Sequence, residues 1–317
     1  MEQKFIKITD KNEWQVLLDK VLFKTFFHFL EWEEFLEKSF KWLKFERYVY
    51  NEECLLSLAR VGGKLISHPF CEYGGPLPLT EKIDGEFFRR DLFSEFKGCI
   101  RISFHPQLLD YFGKTALEDS GRVSYLLEDQ QNLRKTTRHE IEKAQVNNIQ
   151  VEKCQSEKDL RNFYNLHVKG AKRHKIPAYP FSFFQYFLNS KESEVVLAEK
   201  ENKIIAGSVF LFYGRFIHYF QNAIDEKHKN LGANHLILWR QIQKCFLENK
   251  IFDFGGTRQD SSLQVFKRGW GGEEHPIFEL ENYQSSGFRD SKLRNIFGLL
   301  PPFFIKKLSP SLLKYKL

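Results

Sequence analysis

The succession of predicted elements in the second half of the chain is the feature that most limits its fold. Apolar residues recur there with the alternation of strands or the period of helices, and short polar or glycine-containing turns separate the runs. The predicted order is strand 149–154, helices 156–174 and 179–188, strands 194–199, 203–212 and 215–223, helix 231–249, strand 251–254, helix 263–268 and strand 276–283. This order predicts an α/β domain in which a three-strand meander stands between helices.

The first half of the chain also has the pattern of a mixed α/β region. Helices are predicted over 31–43 and 84–96, and strands over 47–50, 55–61, 64–69, 99–104 and 122–127. Gly62 and Gly63 predict a hairpin between two of these strands. The segment 68–78 contains too many glycines and prolines for a regular element, so it predicts a shaped loop. A polar, basic helix over 129–147 joins the two halves.

Composition and charge restrict the class of protein. The 317 residues include 48 Lys and Arg against 41 Asp and Glu, a formal net charge of +7, and hydrophobic residues make up 42%. This balance of hydrophobic and charged residues is typical of a globular protein. The positive charge suits an anionic partner such as nucleic acid, a nucleotide-linked substrate or an anionic membrane. Five cysteines without a CxxC pair argue against a disulfide framework and a metal site. Because no apolar run has the length of an export signal or a spanning helix, we expect a cytoplasmic protein.

Five residue strings, in order along the chain, resemble those of one known family. They are SHPFCEYGGP at 67–76, RHEIEKA at 138–144, NLGANHLILW at 230–239, FDFGG at 252–256 and FKRGWG at 266–271. As a set, and in this order, they resemble the FemABX-type transferases and their FemAB-like relatives. The resemblance extends over most of the chain, from about residue 55 to residue 283.

The resemblance implies a fold and a function. The element order of the second half is that of the GNAT acyltransferase fold, and the family has two tandem GNAT-like domains facing a shared cleft. We therefore expect an N-terminal domain at 1–147, an acyltransferase domain at 148–285 and a basic, apolar tail at 286–317. The coiled-coil arm of some members is missing. Members move an amino acid from aminoacyl-tRNA to an amine on a peptidoglycan precursor, and others are N-acyltransferases that use acyl-CoA.

The expected function is the transfer of an aminoacyl or acyl group to an amine of a cell-envelope precursor, either peptidoglycan or polysaccharide. The precursor would be nucleotide- or lipid-linked, the donor aminoacyl-tRNA or acyl-CoA, and no cofactor would be bound permanently. A CoA-dependent N-acyltransferase acting on an amino sugar is an alternative. A non-catalytic basic protein that binds RNA or a membrane is a further alternative. A serine hydrolase finds no support, because the sequence contains no GxSxG.

Three residues are the candidates for catalysis. Acyl transfer to an amine needs positive charge where the oxyanion forms. Lys267 lies in a short predicted helix between Phe266 and Trp270, and the resemblance places a lysine of this motif at the acyl-transfer centre; a solvated surface lysine is the alternative. Asp253, at a strand end, orients a substrate amine, binds Arg258 or caps its own turn. Tyr219 faces either the cleft or the core.

The candidate substrate-binding residues come from two places in the sequence. The resemblance implies that Glu72, Tyr73 and Gly74 of the loop 68–78 bind substrate. The other candidates, Arg258, Phe266 and Trp270, lie close to the catalytic candidates in the sequence. The acidic residue that some tRNA-dependent members carry after the Gly-Pro of this loop is replaced here by Leu77-Pro78-Leu79. Proton removal from the amine by the substrate itself or through water therefore stays open.

The candidate donor-binding residues are basic or lie at a helix start. The string KNLGAN, with Lys229, Gly232 and Asn234, partly matches the pyrophosphate loop of CoA-dependent GNAT enzymes; an ordinary helix start is the alternative. Arg134 and Arg138 share one helix face. They predict either a docking surface for the phosphates of tRNA, a nucleotide-linked sugar or a lipid diphosphate, or a solvated helix face.

The tail combines basic and apolar residues. Its basic residues after Phe288 are Arg289, Lys292, Arg294, Lys306, Lys307, Lys314 and Lys316. Such a segment suits an anionic membrane surface, which would place the protein peripherally at the inner membrane face. The preferred interpretation is that the tail packs back on the first domain, as the chain end does in the family that the sequence resembles.

Overall fold

The computed structural model describes residues 4–129, 133–283 and 293–317, which form two compact units. The first unit comprises the described parts of Met1–Ser124, Gly256–Gln259 and His275–Ser285. The second comprises those of Tyr125–Gly255, Asp260–Glu274 and Ser286–Leu317. Both units combine helices with a mixed sheet, which confirms the predicted α/β class.

The elements from the N-terminus to the end of the first chain half are β1 (Phe5–Ile8), α1 (Lys11–Leu18), α2 (Leu30–Ser39), β2 (Leu43–Tyr50), β3 (Cys54–Val61), β4 (Lys64–Ile66), β5 (Leu77–Pro78), α3 (Gly85–Glu95), β6 (Cys99–Ser103), α4 (Leu109–Phe112) and β7 (Glu118–Leu127). The hairpin predicted at Gly62 and Gly63 is confirmed, since β3 and β4 pair antiparallel across it. Strand β5 pairs with β3 beside the meander.

The remaining elements are α5 (Lys135–Val146), β8 (Gln150–Lys153), α6 (Glu157–His174), α7 (Phe181–Asn189), β9 (Ser193–Lys200), β10 (Lys203–Tyr213), β11 (Phe216–Ile224), α8 (Ala233–Leu247), β12 (Ile251–Asp253), β13 (Thr257–Arg258), α9 (Ser262–Arg268), β14 (Glu273–Glu281), α10 (Leu293–Leu299) and α11 (Pro302–Leu312). Ser156 caps α6 by accepting the Asp159 N–H. A 3₁₀ turn, Glu226–Leu231, precedes α8.

One plan of elements occurs in both units. A strand, two helices, a three-strand antiparallel meander, a helix and a further strand follow one another as β1 to β6 and again as β8 to β12. In each copy the first strand pairs antiparallel with the start of the meander. The final strand of each copy lies parallel to the last meander strand, as β6 does to β4 and β12 to β11. The sequence predicted this order for the second half, and the structure contains it twice in tandem.

Each unit is completed by a strand from outside its own chain half. Strand β14 pairs antiparallel with β6, so Glu279 lies opposite Ser103 in the first unit. The end of β7 pairs antiparallel with β12 in the second unit. The units therefore differ from the predicted domains 1–147 and 148–285, because helix α5 belongs to the second unit and most of β14 to the first.

Alternation along the strands gives each sheet two apolar faces. On β2, Tyr50 packs with Phe88 of α3, whereas Val49 packs with Trp14 of α1 on the opposite face. In the second unit, α6 lies so close to β10 that a Cβ at Gly207 would stand 2.6 Å from the Phe163 ring. Phenylalanine rings of α7 fill the adjacent space. Many of the 33 phenylalanines of the chain therefore serve as core.

The tail packs on the second unit, not on the first domain as predicted. Helices α10 and α11 contact α6, and the Ala178 N–H donates to Ser309 Oγ at 3.0 Å. Residues 284–292, with Arg289 and Lys292, lie outside the described residues. Across the described ranges, no helix is long and apolar enough to cross a membrane.

Candidate active site

Lys267 lies in the last turn of α9 and is buried, with 3% of its surface exposed. Ser261 begins this helix by accepting the Gln264 N–H, which sets the direction of its last turn. Lys267 Nζ donates to the Gly255 carbonyl at 2.8 Å. Gly255 follows β12 with φ +68°, a left-handed conformation that glycine adopts without strain. Lys267 is therefore a buried donor at the end of β12 and not a solvated surface lysine.

An aromatic cluster lies next to Lys267 along the chain. The His235 ring of α8 stands 5.1 Å from Phe266 and 5.8 Å from Trp270, and Phe254 lies 6.0 Å from Trp270. Burial lowers the pKa of His235, so the ring favours its neutral form. Trp270 is 2% exposed and acts as a core side chain, whereas Phe266 is half-buried. His235 was missed in the sequence because nothing local links it to α9.

Asp253 is the centre of a buried hydrogen-bond network. His218 Nδ1 donates to Asp253 Oδ2 at 2.7 Å, and Tyr213 OH donates to the same oxygen at 2.9 Å. The Gly255 N–H donates to the other oxygen, which is the turn-capping role considered for this residue. No sequence pattern indicated His218; its partnership with Asp253 follows from the parallel register of β11 and β12, which sets the two residues side by side.

Tyr219 lies on the opposite face of the sheet from Asp253. It follows His218 on β11 and packs against Phe210, with ring centres 5.7 Å apart. Only 8% of it is exposed, and burial raises its pKa. The structure thus gives Tyr219 a core position and does not bring it together with Asp253.

In the first unit, Tyr73 and Gly74 hold the loop 68–78 in place. Tyr73 is fully buried and its hydroxyl lies 3.2 Å from Ser124 Oγ. The Gly74 N–H donates to the Ser103 carbonyl at 3.0 Å, and His28 Nε2 donates to the Gly74 carbonyl at 2.7 Å. These bonds make both residues part of the loop's framework.

Glu72 lies in a group that we call the first-unit charged cluster, composed of Glu72, Arg122 and Glu279. A Cβ placed on Gly256 would stand 2.8 Å from Arg122 Nη2 and 3.0 Å from Glu72 Cγ. Arg122 Nη1 lies 3.7 Å from Glu279 Oε1. Arg258 is exposed on β13, opposite Arg122 of β7. Arg122 and Glu279 were missed because their approach depends on pairing between distant strands.

The predicted donor-binding residues lie on two packed helices of the second unit. Arg138 is exposed on α5 and Arg134 is exposed directly before its first residue; α5 contacts α8. Lys229 is exposed in the turn before α8 and pairs with Glu226, whereas Asn234 lies in the first turn of α8. Gly232, at φ +75°, allows close packing: a Cβ there would stand 2.1 Å from the Glu140 carbonyl of α5.

Helix α5 is also joined to the segment that follows Lys267. The Arg134 N–H and Thr137 Oγ1 both donate to the Gly269 carbonyl at 3.0 Å. The start of the basic helix is thus fixed to the end of α9. The structure brings Lys267, Phe266 and the α5 arginines into one region, whereas the sequence had them in separate motifs.

A groove of about 430 Å³ opens near the start of β12, away from Asp253. Its lining residues are Glu128, Asp129, Arg215, Phe246, Asn249, Lys250 and Ile251. None of the predicted site residues lines it. Among the described residues, no group of three or more His, Cys, Asp or Glu side chains is placed to hold a metal ion.

The sequence was compared with protein families and with known proteins, and it has matches in both. A family model described as an acetyltransferase (GNAT) domain matches residues 131–268, from the start of the α5 region to the end of α9. The UDP-N-acetylmuramoylpentapeptide-lysine N(6)-alanyltransferase of Weissella viridescens is 27% identical over 139 residues. That match covers 41% of this chain and 41% of the relative, so the chain spans less than half of that protein.

Solved structures show the same fold over nearly the whole chain. The crystal structure of FemX has a TM-score of 0.57 at 12% identity, covering 88% of this chain and 98% of that one. L-PGS from Bacillus licheniformis has a TM-score of 0.61 at 11% identity, covering 95% and 97% of the two chains. With the tandem element order and the ordered motifs, these likenesses support one assignment. That assignment is a FemABX-like family whose acyltransferase domain has the GNAT fold.

Proposed function

We propose that the chain transfers an aminoacyl group from aminoacyl-tRNA to an amine of a peptidoglycan precursor. The Weissella relative, an alanyltransferase whose name gives the lysine of UDP-N-acetylmuramoylpentapeptide as acceptor, supports this substrate class. The observation that carries the proposal is the fixing of basic helix α5 to the Gly269 carbonyl, close to the buried Lys267. The basic face of α5, which is proposed to bind phosphates, and the buried Lys267 therefore lie in one region of the second unit.

In the proposed reaction the acceptor amine attacks the ester carbonyl of the donor. A carbon–nitrogen bond forms, the carbon–oxygen bond to the ribose breaks, and the tRNA hydroxyl leaves with a proton while the amine loses one. The tetrahedral intermediate carries a negative oxygen. Lys267 is assigned to stabilise that oxygen, because a buried ammonium acts in a low dielectric where its field is less screened. The proton of the amine passes to the substrate itself or to water.

Binding of the acceptor is assigned to the first-unit charged cluster. A peptidoglycan peptide carries both carboxylates and amines, and the cluster offers one guanidinium with two carboxylates. Arg122 suits a carboxylate or phosphate because its planar fork can donate two parallel hydrogen bonds. Glu72 and Glu279 suit an amine. Arg258, exposed on the neighbouring strand, adds positive charge.

The donor is proposed to bind through α5. Because the Glu140 carbonyl approaches Gly232 closely, an anion at the start of α8 would meet a carbonyl oxygen as well as N–H groups. This packing favours a donor whose phosphates bind along Arg134 and Arg138 over a CoA pyrophosphate at the start of α8. Since aminoacyl-tRNA is a cytoplasmic molecule, the reaction is proposed to take place in the cytoplasm.

Replacement of Lys267 by Met tests the catalytic assignment. Methionine has a similar shape but no charge, so kcat should fall roughly 10²- to 10³-fold in a transfer assay with alanyl-tRNA and UDP-linked muramoyl pentapeptide. Lys227→Met, at an exposed lysine of the same unit, is the matched control and should keep its activity. Equal turnover by Lys267→Met and the original protein would remove Lys267 from the reaction.

The donor is tested by thermal shift and by salt dependence. Alanyl-tRNA should raise the melting temperature, and the double variant Arg134→Ala/Arg138→Ala should weaken tRNA binding and reduce its salt slope by about one for each phosphate that the variant leaves unbound. Arg161→Ala, at an exposed position of α6, serves as the control. Stabilisation by acetyl-CoA or longer acyl-CoA alone would favour the CoA-dependent enzyme. Binding of tRNA without transfer would favour a non-catalytic RNA-binding protein.

A further inference from the structure

Helix α11 has an inner face that fixes the tail to the second unit. Ile305 and Ser309 of α11 and Leu313, which directly follows the helix, recur one turn apart and are buried. Ser309 Oγ accepts the Ala178 N–H, and Lys316 Nζ donates to Tyr179 OH at 3.1 Å. The orientation of α11 is therefore set by contacts within the unit, so its outer face is a defined surface.

That outer face is apolar. Phe303 is 69% exposed, Phe304 47% and Leu308 43%, and Leu299 at the end of α10 is 82% exposed. Large apolar side chains that are exposed singly need no explanation, but four on adjacent turns form a patch of the kind that marks an interaction site. These exposed fractions are those of the folded chain, with all described residues in place.

The charged residues of the tail segment that carries the patch all have one sign. Residues 293–317 contain no Asp or Glu, and their basic residues are Arg294, Lys306, Lys307, Lys314 and Lys316. Lys306 and Lys316 bond to Asn165 and Tyr179 of the second unit. Lys307 and Lys314 are exposed, and Lys314 lies 5.0 Å from the ring centre of Tyr315, itself 51% exposed.

We propose that the outer face of α11 docks on the surface of an anionic lipid bilayer. Phenylalanine and leucine side chains enter the boundary between headgroups and acyl chains, and tyrosine lies at headgroup level. Lys307 and Lys314 then meet anionic headgroups, which attract basic residues near the surface. A nucleic acid would use the lysines and could stack a base on a phenylalanine, but it would leave the aliphatic Leu299 and Leu308 without a partner. A bilayer takes up the aliphatic and the aromatic side chains together. The docking goes beyond the transfer reaction and does not depend on it.

The test is co-sedimentation of the full chain with vesicles of phosphatidylglycerol and phosphatidylcholine, compared with phosphatidylcholine alone. We expect binding to the anionic vesicles, at least tenfold weaker binding to the neutral ones, and weakening with salt. The variant Phe303→Ser/Phe304→Ser should lose at least tenfold in affinity, and so should Lys307→Glu/Lys314→Glu. Because all four side chains are largely outside the core, both variants should keep the melting temperature of the original chain.

Matched controls lie in the first unit. Phe87 is 52% exposed on α3 and Lys38 is exposed on α2, so Phe87→Ser and Lys38→Glu should bind vesicles as the original chain does. The proposal is overturned if the full chain stays unbound with anionic vesicles, or if the tail variants bind as well as the controls. It is also overturned if the Phe303 and Phe304 substitutions abolish only a self-association seen by sedimentation velocity without lipid.

Discussion

His28 of the first unit makes the free energy of unfolding depend on pH. His28 is buried; its Nδ1 accepts the Thr25 N–H at 3.1 Å and its Nε2 donates to the Gly74 carbonyl, so the neutral ring supports the loop that carries Glu72. Burial lowers the pKa of His28 to about 4. In the unfolded chain the same group titrates near 6.5. The unfolded state therefore binds a proton between these two pH values that the folded state does not bind.

We predict that the free energy of unfolding falls as the pH drops from about 6.5 to about 4. The contribution of His28 to that loss is roughly 3 kcal/mol, complete near pH 4. His28→Asn should be less stable at pH 7 but should lose less stability between pH 7 and pH 4.5, measured by urea unfolding with tryptophan fluorescence. His139→Asn, at an exposed position on α5, is the control. Identical pH profiles for His28→Asn and the original chain would contradict the assignment.

The role of a residue could be predicted from the sequence where its partners lie within the same short motif. The sequence named Lys267 and Asp253 as catalytic candidates and considered the turn-capping role of Asp253, which the Gly255 N–H fulfils. It missed His218, because that partner of Asp253 is selected by the register of two strands joined through a whole helix. It missed His28 for the same reason, since the carbonyl that His28 binds belongs to a distant loop.

Among the elements, the contact between α5 and α8 depends on one glycine. Gly232 has φ +75°, and a Cβ there would stand 2.1 Å from a backbone oxygen of α5. Elements with strong periodicity, such as α6 and the meander strands, were predicted close to their observed bounds. The two-residue strands β5 and β13 were not predicted, because so short a run has no period; they exist through pairing with β3 and β7.

We predict that Gly232→Ala destabilises the protein by roughly 3 kcal/mol or more. The substitution combines a left-handed backbone with a clash against backbone that cannot rotate away. Gly214→Ala is the matched control in the same unit, since Gly214 has φ +48° and nothing within 4 Å of the added Cβ. It should cost only about 1–2 kcal/mol. Chemical unfolding of both variants measures the difference, and equal losses of stability would show that packing against α5 is unimportant.

For the whole molecule, the exchange of strands decides which pieces can fold. Local patterns could not predict that β14 completes the sheet that contains β6, because pairing between such distant segments leaves no periodic signal in either of them. The predicted boundary after residue 147 was drawn between two local patterns. It separates the first unit from β14 and the second unit from α5 and the end of β7.

We predict that fragments 1–147 and 148–317, produced separately, lack cooperative unfolding. The first would expose the edge of β6 and the second the edge of β12, and unpaired edges favour aggregation. Production of both fragments in one cell should restore a stable complex that purifies together. Cooperative thermal unfolding of fragment 1–147 alone, followed by circular dichroism, would contradict this prediction.

The position of β14 in the chain also has a consequence for synthesis on the ribosome. The first unit cannot close its sheet until the polypeptide has been extended through Glu281, because β6 pairs with that late strand. At cellular elongation rates the delay is on the order of ten seconds, during which the nascent β6 edge is open to other chains. The protein should therefore depend on chaperones that hold emerging chains, more than a protein whose first domain is complete when its own segment leaves the exit tunnel.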